Sequence, residues 1–124
     1  MTPNLADIYD VLRAWAVARP GQVGTYTDLS HEYLLATGHR FEPHGSWDVP
    51  LGQLNQRLHA VIGAPALSAL VTLGSNGSPT EPGGGFWGSA PNVPLRPSNP
   101  LVRLSEWSRI VKEVHNYKWP AALP

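Results

Sequence analysis

The sequence predicts an α+β domain, mostly helical, and three observations carry that prediction. Apolar residues recur at helical spacing over residues 5–62, interrupted by capping residues and glycine stops. A short apolar run at residues 66–73 leads into Gly74-Ser75-Asn76-Gly77, the signal of a strand entering a tight turn. A proline-led amphipathic stretch from Pro100 onward reads as a closing helix.

The first helix is expected over residues 5–19. Asn4 suits the N-cap, and Asp7 places negative charge in the first turn. Leu5, Ile8, Leu12 and Trp15 form its apolar stripe, widened by Tyr9 and Ala16, and Pro20-Gly21 ends it. Gln22-Val23-Gly24 is a short extended connector. The second helix starts at Tyr26, capped by Thr25 with Asp28 three residues on, a variant of the capping box. Leu29, Tyr33 and Ala36 continue one face, and Gly38 is the stop. After a loop with His39, Phe41, His44 and Trp47, a third helix runs from Val49 or Pro50 to Ile62, with Asp48 near its cap. Leu51, Leu54, Leu58 and Ile62 make its buried stripe, and Gly63 closes it.

Residues 66–73 are expected to form one strand, with Leu67, Ala69, Val71 and Leu73 on one side and Ser68, Leu70 and Thr72 on the other. Pro79 and Pro82 bar the returning limb from being a regular central strand, though it has room to pair near Gly85-Phe86-Trp87. The last helix spans residues 101–117, capped by Asn99. Leu101, Leu104, Trp107, Ile110, Val111 and Val114 supply its core face. Three helices, a β-hairpin wing and a C-terminal helix make a winged-helix-like order, in which the third helix is presented outward.

The chain has 124 residues, which suits one domain over residues 1–124. It has no cysteine, so disulfides, thiolate metal sites and a cysteine nucleophile are excluded. No signal peptide or membrane-spanning run is visible, and a cytoplasmic protein is expected. Formal charge is zero, which argues against a strong non-specific hold on nucleic acid. The distribution is less even: residues 1–48 carry six acids and three bases, residues 49–124 six bases and three acids.

The motifs of familiar chemistry are absent. His39, His44 and Asp48 lack a specific metal spacing, and no cofactor or metal is expected. Ser30 and His31 are adjacent, so they do not face each other on a helix. His31, Glu32 and His59 leave a small enzyme of unknown chemistry as a third-ranked reading. Ser68 has no Gly-x-Ser-x-Gly context. Gly83-Gly84-Gly85 has no Gly-Lys-Ser/Thr ending and opens no helix, so it is better explained as freedom for Phe86 and Trp87 to fold over the core.

Two resemblances cover parts of the chain. Thr25-Tyr26-x-Asp28-Leu29, Pro50-Leu51-Gly52-x-Leu54, Pro65-x-Leu67-Ser68-Ala69-Leu70-Val71, Pro82-Gly83-Gly84-Gly85-Phe86 and the aromatic end with Trp107, Tyr117 and Trp119 resemble a scattered group of small bacterial and phage-borne proteins. What that implies is mainly architectural. Thr25-Tyr26-Thr27-Asp28-Leu29 and Leu51-Gly52-x-Leu54 are also similar to the helix-turn-helix domain of O6-alkylguanine alkyltransferases and alkyltransferase-like proteins, a family that enters the minor groove and flips a base. Pro65-Ala66-Leu67-Ser68 stands where that family has its reactive Pro-Cys-His-Arg motif, so alkyl transfer is excluded here.

The leading expectation is a non-enzymatic module binding duplex DNA or a nucleoprotein complex through the third helix and the wing. Gln53, Gln56 and Arg57, with His59 at the edge, are the groove-reading candidates, joined by Ser75 and Asn76 at the wing tip and by Trp47, which is either a core residue or an exposed contact. The alternative is a protein-binding inhibitor or adaptor from phage or a mobile element, for example anti-CRISPR-like and aimed at a defence nuclease. Neutral charge and the five tryptophans favour it.

Overall fold

Local capping chemistry fixes the helices. In α1 (Leu5–Ala18) the Asn4 side chain accepts from the Ala6 and Asp7 amides at 2.8 and 3.3 Å. In α2 (Tyr26–Thr37) the capping box is complete: Asp28 N–H donates to Thr25 Oγ1 at 3.1 Å, and Thr25 N–H donates to the Asp28 carboxylate at 2.9 Å. Gly38 and Gly63 end α2 and α3 (Asp48–Ile62) in the left-handed conformation. Trp47, not Asp48, occupies the N-cap of α3, and it makes no side-chain cap bond. In α4 (Pro100–Asn116) Asn99 caps the Leu101 and Val102 amides. The computed structural model describes residues 3–41, 47–75 and 78–124.

Two small sheets complete an α+β architecture. β1 (Gly24–Thr25) pairs in parallel with β2 (Val71–Thr72), and Thr72 Oγ1 donates to the Gly24 carbonyl at 3.1 Å. β3 (Gly74–Ser75) pairs antiparallel with β4 (Ser78–Pro79). These two strands are paired as a hairpin, and Asn76 and Gly77 of the expected turn lie outside the described residues. The connector before α2 contributes a strand where only an extended link was expected.

The strand expected at residues 66–73 is not formed as such. Leu67–Leu70 curl into a 3₁₀ turn, and only Val71–Thr72 are strand. Residues 66–72 are buried, as the composition demands, while Leu73, expected on the side of Leu67, Ala69 and Val71, is 47% exposed; β1 offers two residues of pairing. The remaining polar backbone needs other partners. Ala69 N–H donates to the Ala66 carbonyl, Ser68 N–H to Asn55 Oδ1, and the Ala69 carbonyl accepts from Trp107 Nε1. The returning limb likewise pairs at β4, while Gly84–Phe86 form a second 3₁₀ turn packed on α3.

The core gathers Ile8, Leu12 and Trp15 of α1, Leu29 and Tyr33 of α2, Leu51, Leu54 and Leu58 of α3, the 66–71 run, and Ile110 and Val114 of α4. Two of the helix faces depart from expectation. Ala36 is exposed. In α4, Leu101 and Leu104 are 77% and 55% exposed, so the first half of that helix leaves the core face it was given. No helix among the described residues is long and apolar enough to cross a membrane.

Gly24 shows how tightly the sheet sits on α1. A Cβ there would lie 2.6 Å from the Trp15 ring, itself buried. Gly24→Ala is expected to cost about 1–3 kcal/mol by overpacking. Gly84→Ala, whose Cβ would meet nothing within 4 Å, serves as the control. Urea unfolding of both variants checks this.

Candidate functional site

The residues expected to read DNA are not assembled into one free face. Trp47 is fully buried: its indole N–H donates to Ser30 Oγ at 2.9 Å, and its ring meets Tyr33 and Phe41 edge-on. It is a core residue, not a surface anchor. Gln53, Gln56 and Arg57 are exposed on α3. However, Gln56 Nε2 donates to the Ser89 carbonyl at 3.2 Å, and Arg57 Nε donates to the Pro124 carbonyl oxygen at 2.8 Å. The return loop and the tail therefore hold two of the three. His59 is half-buried, with its Nδ1 buried and unpartnered. Ser75 is exposed on the hairpin, which packs beside β1 at the start of α2. Asn76 lies outside the described residues, as does His44.

Two of the side chains weighed for chemistry, Glu32 and Ser68, have structural partners. Glu32 accepts from Trp15 Nε1 and from Arg19. Ser68 Oγ accepts from Asn55 Nδ2 at 2.6 Å in the interior.

The glycine run has a specific steric cause. A Cβ at Gly83 would stand 2.7 Å from the Tyr26 hydroxyl, and one at Gly85 would stand 2.5 Å from Asp48 Cγ. Pro82 and Gly83 are buried where the loop crosses the first turns of α2 and α3. Burial, and after it the neighbouring Asp48 carboxylate, push Tyr26 from its ordinary 10.0 up to about 12, while the Gly83 backbone works in the opposite direction. This cluster joins two helix N-termini. It is a fastening of the loop.

Beyond that fastening lies the feature that sequence reasoning missed. Phe86 is buried, and Trp87 packs edge-on against it at 5.1 Å. Trp87, Pro82, Leu101, Leu104 and Trp107 line a cleft of about 260 Å³ between the return loop and the first half of α4. Leu95, 83% exposed, stands over Gly88 next to Trp87. Helical spacing places Leu101 and Leu104 in the core because an apolar stripe has the same period whether it meets its own core or a partner. In comparisons with known proteins, no family model, curated protein or solved structure matches the chain.

Tyr26 yields a sign-definite expectation. The folded state keeps this hydroxyl protonated to about pH 12, whereas an unfolded tyrosine ionises near 10.0. Its contribution to stability is thus complete below pH 10.0 and lost as pH rises toward about 12. Denaturant midpoints measured across that window should fall more steeply for the wild type than for Tyr26→Phe.

Proposed function

We propose that this chain is a non-enzymatic binding module whose partner is a protein, held in the cleft between α4 and the return loop. The carrying observation is the pair Leu101 and Leu104, exposed on α4 beside a cleft walled by two tryptophans. Exposed leucines grouped in this way are costly to leave in water and mark interaction surfaces. The cleft volume of about 260 Å³ is below the roughly 300–1,000 Å³ of small-molecule pockets. It suits one large apolar side chain. Glu81 adds an acid to the rim, while Arg103 on the other wall is already engaged by the Pro97 and Ser98 carbonyls. The fitting occupant is therefore a peptide segment with a leucine, phenylalanine or tryptophan anchor beside a lysine or arginine.

Selection from a displayed peptide library tests this. Enrichment of a large apolar residue next to a base is expected, with affinity reduced about tenfold or more by Leu104→Asp. Binders that lack the anchor, or that ignore Leu104→Asp, would overturn the reading.

A winged-helix-like architecture is the finer reading of the element order α1, β1, α2, α3 and hairpin, and it supports a second function. Gln53, Gln56 and Arg57 share the outer face of α3, which suits groove contact. Neutral charge and the internal bonds of Gln56 and Arg57 place DNA second. Anisotropy of a labelled duplex decides: DNA binding requires an affinity that drops steeply with salt and weakens in Arg57→Ala.

A further inference from the structure

We propose that the occupant of the cleft is a second copy of this chain, which inserts Leu95 while Arg96 meets Glu81. The inference rests on the cleft being a protein-binding site, and it names the partner. The cleft suits one large apolar side chain beside a base. This chain carries such a segment on its own surface. Leu95, 83% exposed, is the most exposed large apolar side chain among the described residues, and Arg96 next to it is exposed as well. Leaving that leucine in water is costly.

The loop that carries Leu95 and Arg96 is tied down on both sides of them. Before them, Gly88 N–H donates to the Pro94 carbonyl at 2.9 Å, and Ala90 and Val93 are buried. After them, Arg103 Nη1 donates to the Pro97 and Ser98 carbonyls at 2.9 and 3.1 Å. Pro94 and Pro97 fix φ on either side. The anchor is therefore ordered before it binds, and little entropy is lost on docking. Leu95 does not line its own cleft: its side chain lies over Gly88. Among the described residues, neither Arg96 nor Glu81 has a side-chain ion pair.

Anchor and cleft lie side by side. Trp87 walls the cleft, and the next residue, Gly88, underlies Leu95; Arg103 lines the cleft and also ties down Pro97. Two copies related by a two-fold axis can therefore make both insertions at once, each Leu95 entering the other's cleft. An anchor on the opposite side of the molecule from the cleft would instead build open chains. The charges match the same exchange. Arg96 of each copy comes to the rim that holds Glu81, while Arg103 on the other wall is turned to its own loop. The formal net charge is zero, so no overall repulsion opposes the pairing.

Sedimentation equilibrium of the full chain at concentrations up to about 1 mM tests this. The expected result is a dimer of twice 13.5 kDa, with a dissociation constant raised about tenfold or more by Leu95→Asp. That side chain is exposed, so the substitution leaves the core intact. Arg96→Glu and Glu81→Arg should each weaken the dimer about twofold to fivefold, and the two changes together should restore it. A monomer at every concentration, or a dimer indifferent to Leu95→Asp, would overturn the pairing. The displayed-peptide selection separates this proposal from the one it rests on. A monomeric chain that still selects Leu104-dependent peptides loses only the second copy as occupant. A monomeric chain that selects none loses the cleft as a protein-binding site too.

Discussion

The irregular half of the molecule depends on Asn55. This side chain is 1% exposed, on the same face of α3 as Leu51, Leu54 and Leu58. Its amide donates to Ser68 Oγ and Ser89 Oγ, and its carbonyl accepts from Ser68 N–H. A buried amide left unpaired would be costly, so these segments are held to one arrangement on α3. Pinning Ser68 sets the 3₁₀ turn that feeds Val71 and Thr72 to β1. Pinning Ser89 fixes the loop two residues after Trp87, which walls the cleft. One polar side chain in an apolar stripe thus couples the parallel strand pair to the wall of the cleft.

The helical half was legible because its signals are local. Asn4, the Thr25–Asp28 box, Gly38, Gly63 and Asn99-Pro100 each act within a few residues of themselves, and each lies at the helix end where it was expected. The segment between α3 and α4 was harder to read because its conformation is set from a distance. The run at residues 66–73 has the composition of a strand, but its partner is a two-residue strand 47 positions earlier in the register. Its amides are answered instead by Asn55 and by one another. Asn55 lies on the buried stripe, one turn from Leu51 and Leu58, but nothing adjacent in sequence announces Ser68 and Ser89 as its partners. Gly83 and Gly85 are similar: only their approach to Tyr26 and Asp48 explains them.

The candidate site divides along the same line. Composition pointed to α3 for polar contacts, and Gln53, Gln56 and Arg57 are indeed exposed there. The bonds to Ser89 and Pro124 are long-range and leave that face partly occupied. Trp47 was ambiguous between core and contact until Ser30, Tyr33 and Phe41 were seen around it. The Leu101–Leu104 pair was invisible as a surface because hydrophobic period reports a stripe without naming what covers it.

The two halves of α4 differ in how they are held. From Trp107 onward the helix is fastened: Trp107 Nε1 donates to the Ala69 carbonyl, Ile110 and Val114 enter the core, and Trp119 Nε1 returns to the Val114 carbonyl. Tyr9 and Arg13 of α1 both donate to the Pro120 carbonyl just beyond. Before Trp107 the helix is supported mainly by its Asn99 cap and by Arg103 on the Pro97 and Ser98 carbonyls. A protein anchor entering the cleft would therefore add contacts where Leu101 and Leu104 are exposed. Trp107 marks the border, bonded to the core on one side and open to the cleft on the other. On the proposed function, such an anchor would meet a helix already positioned by its second half, with little ordering cost to offset the contact.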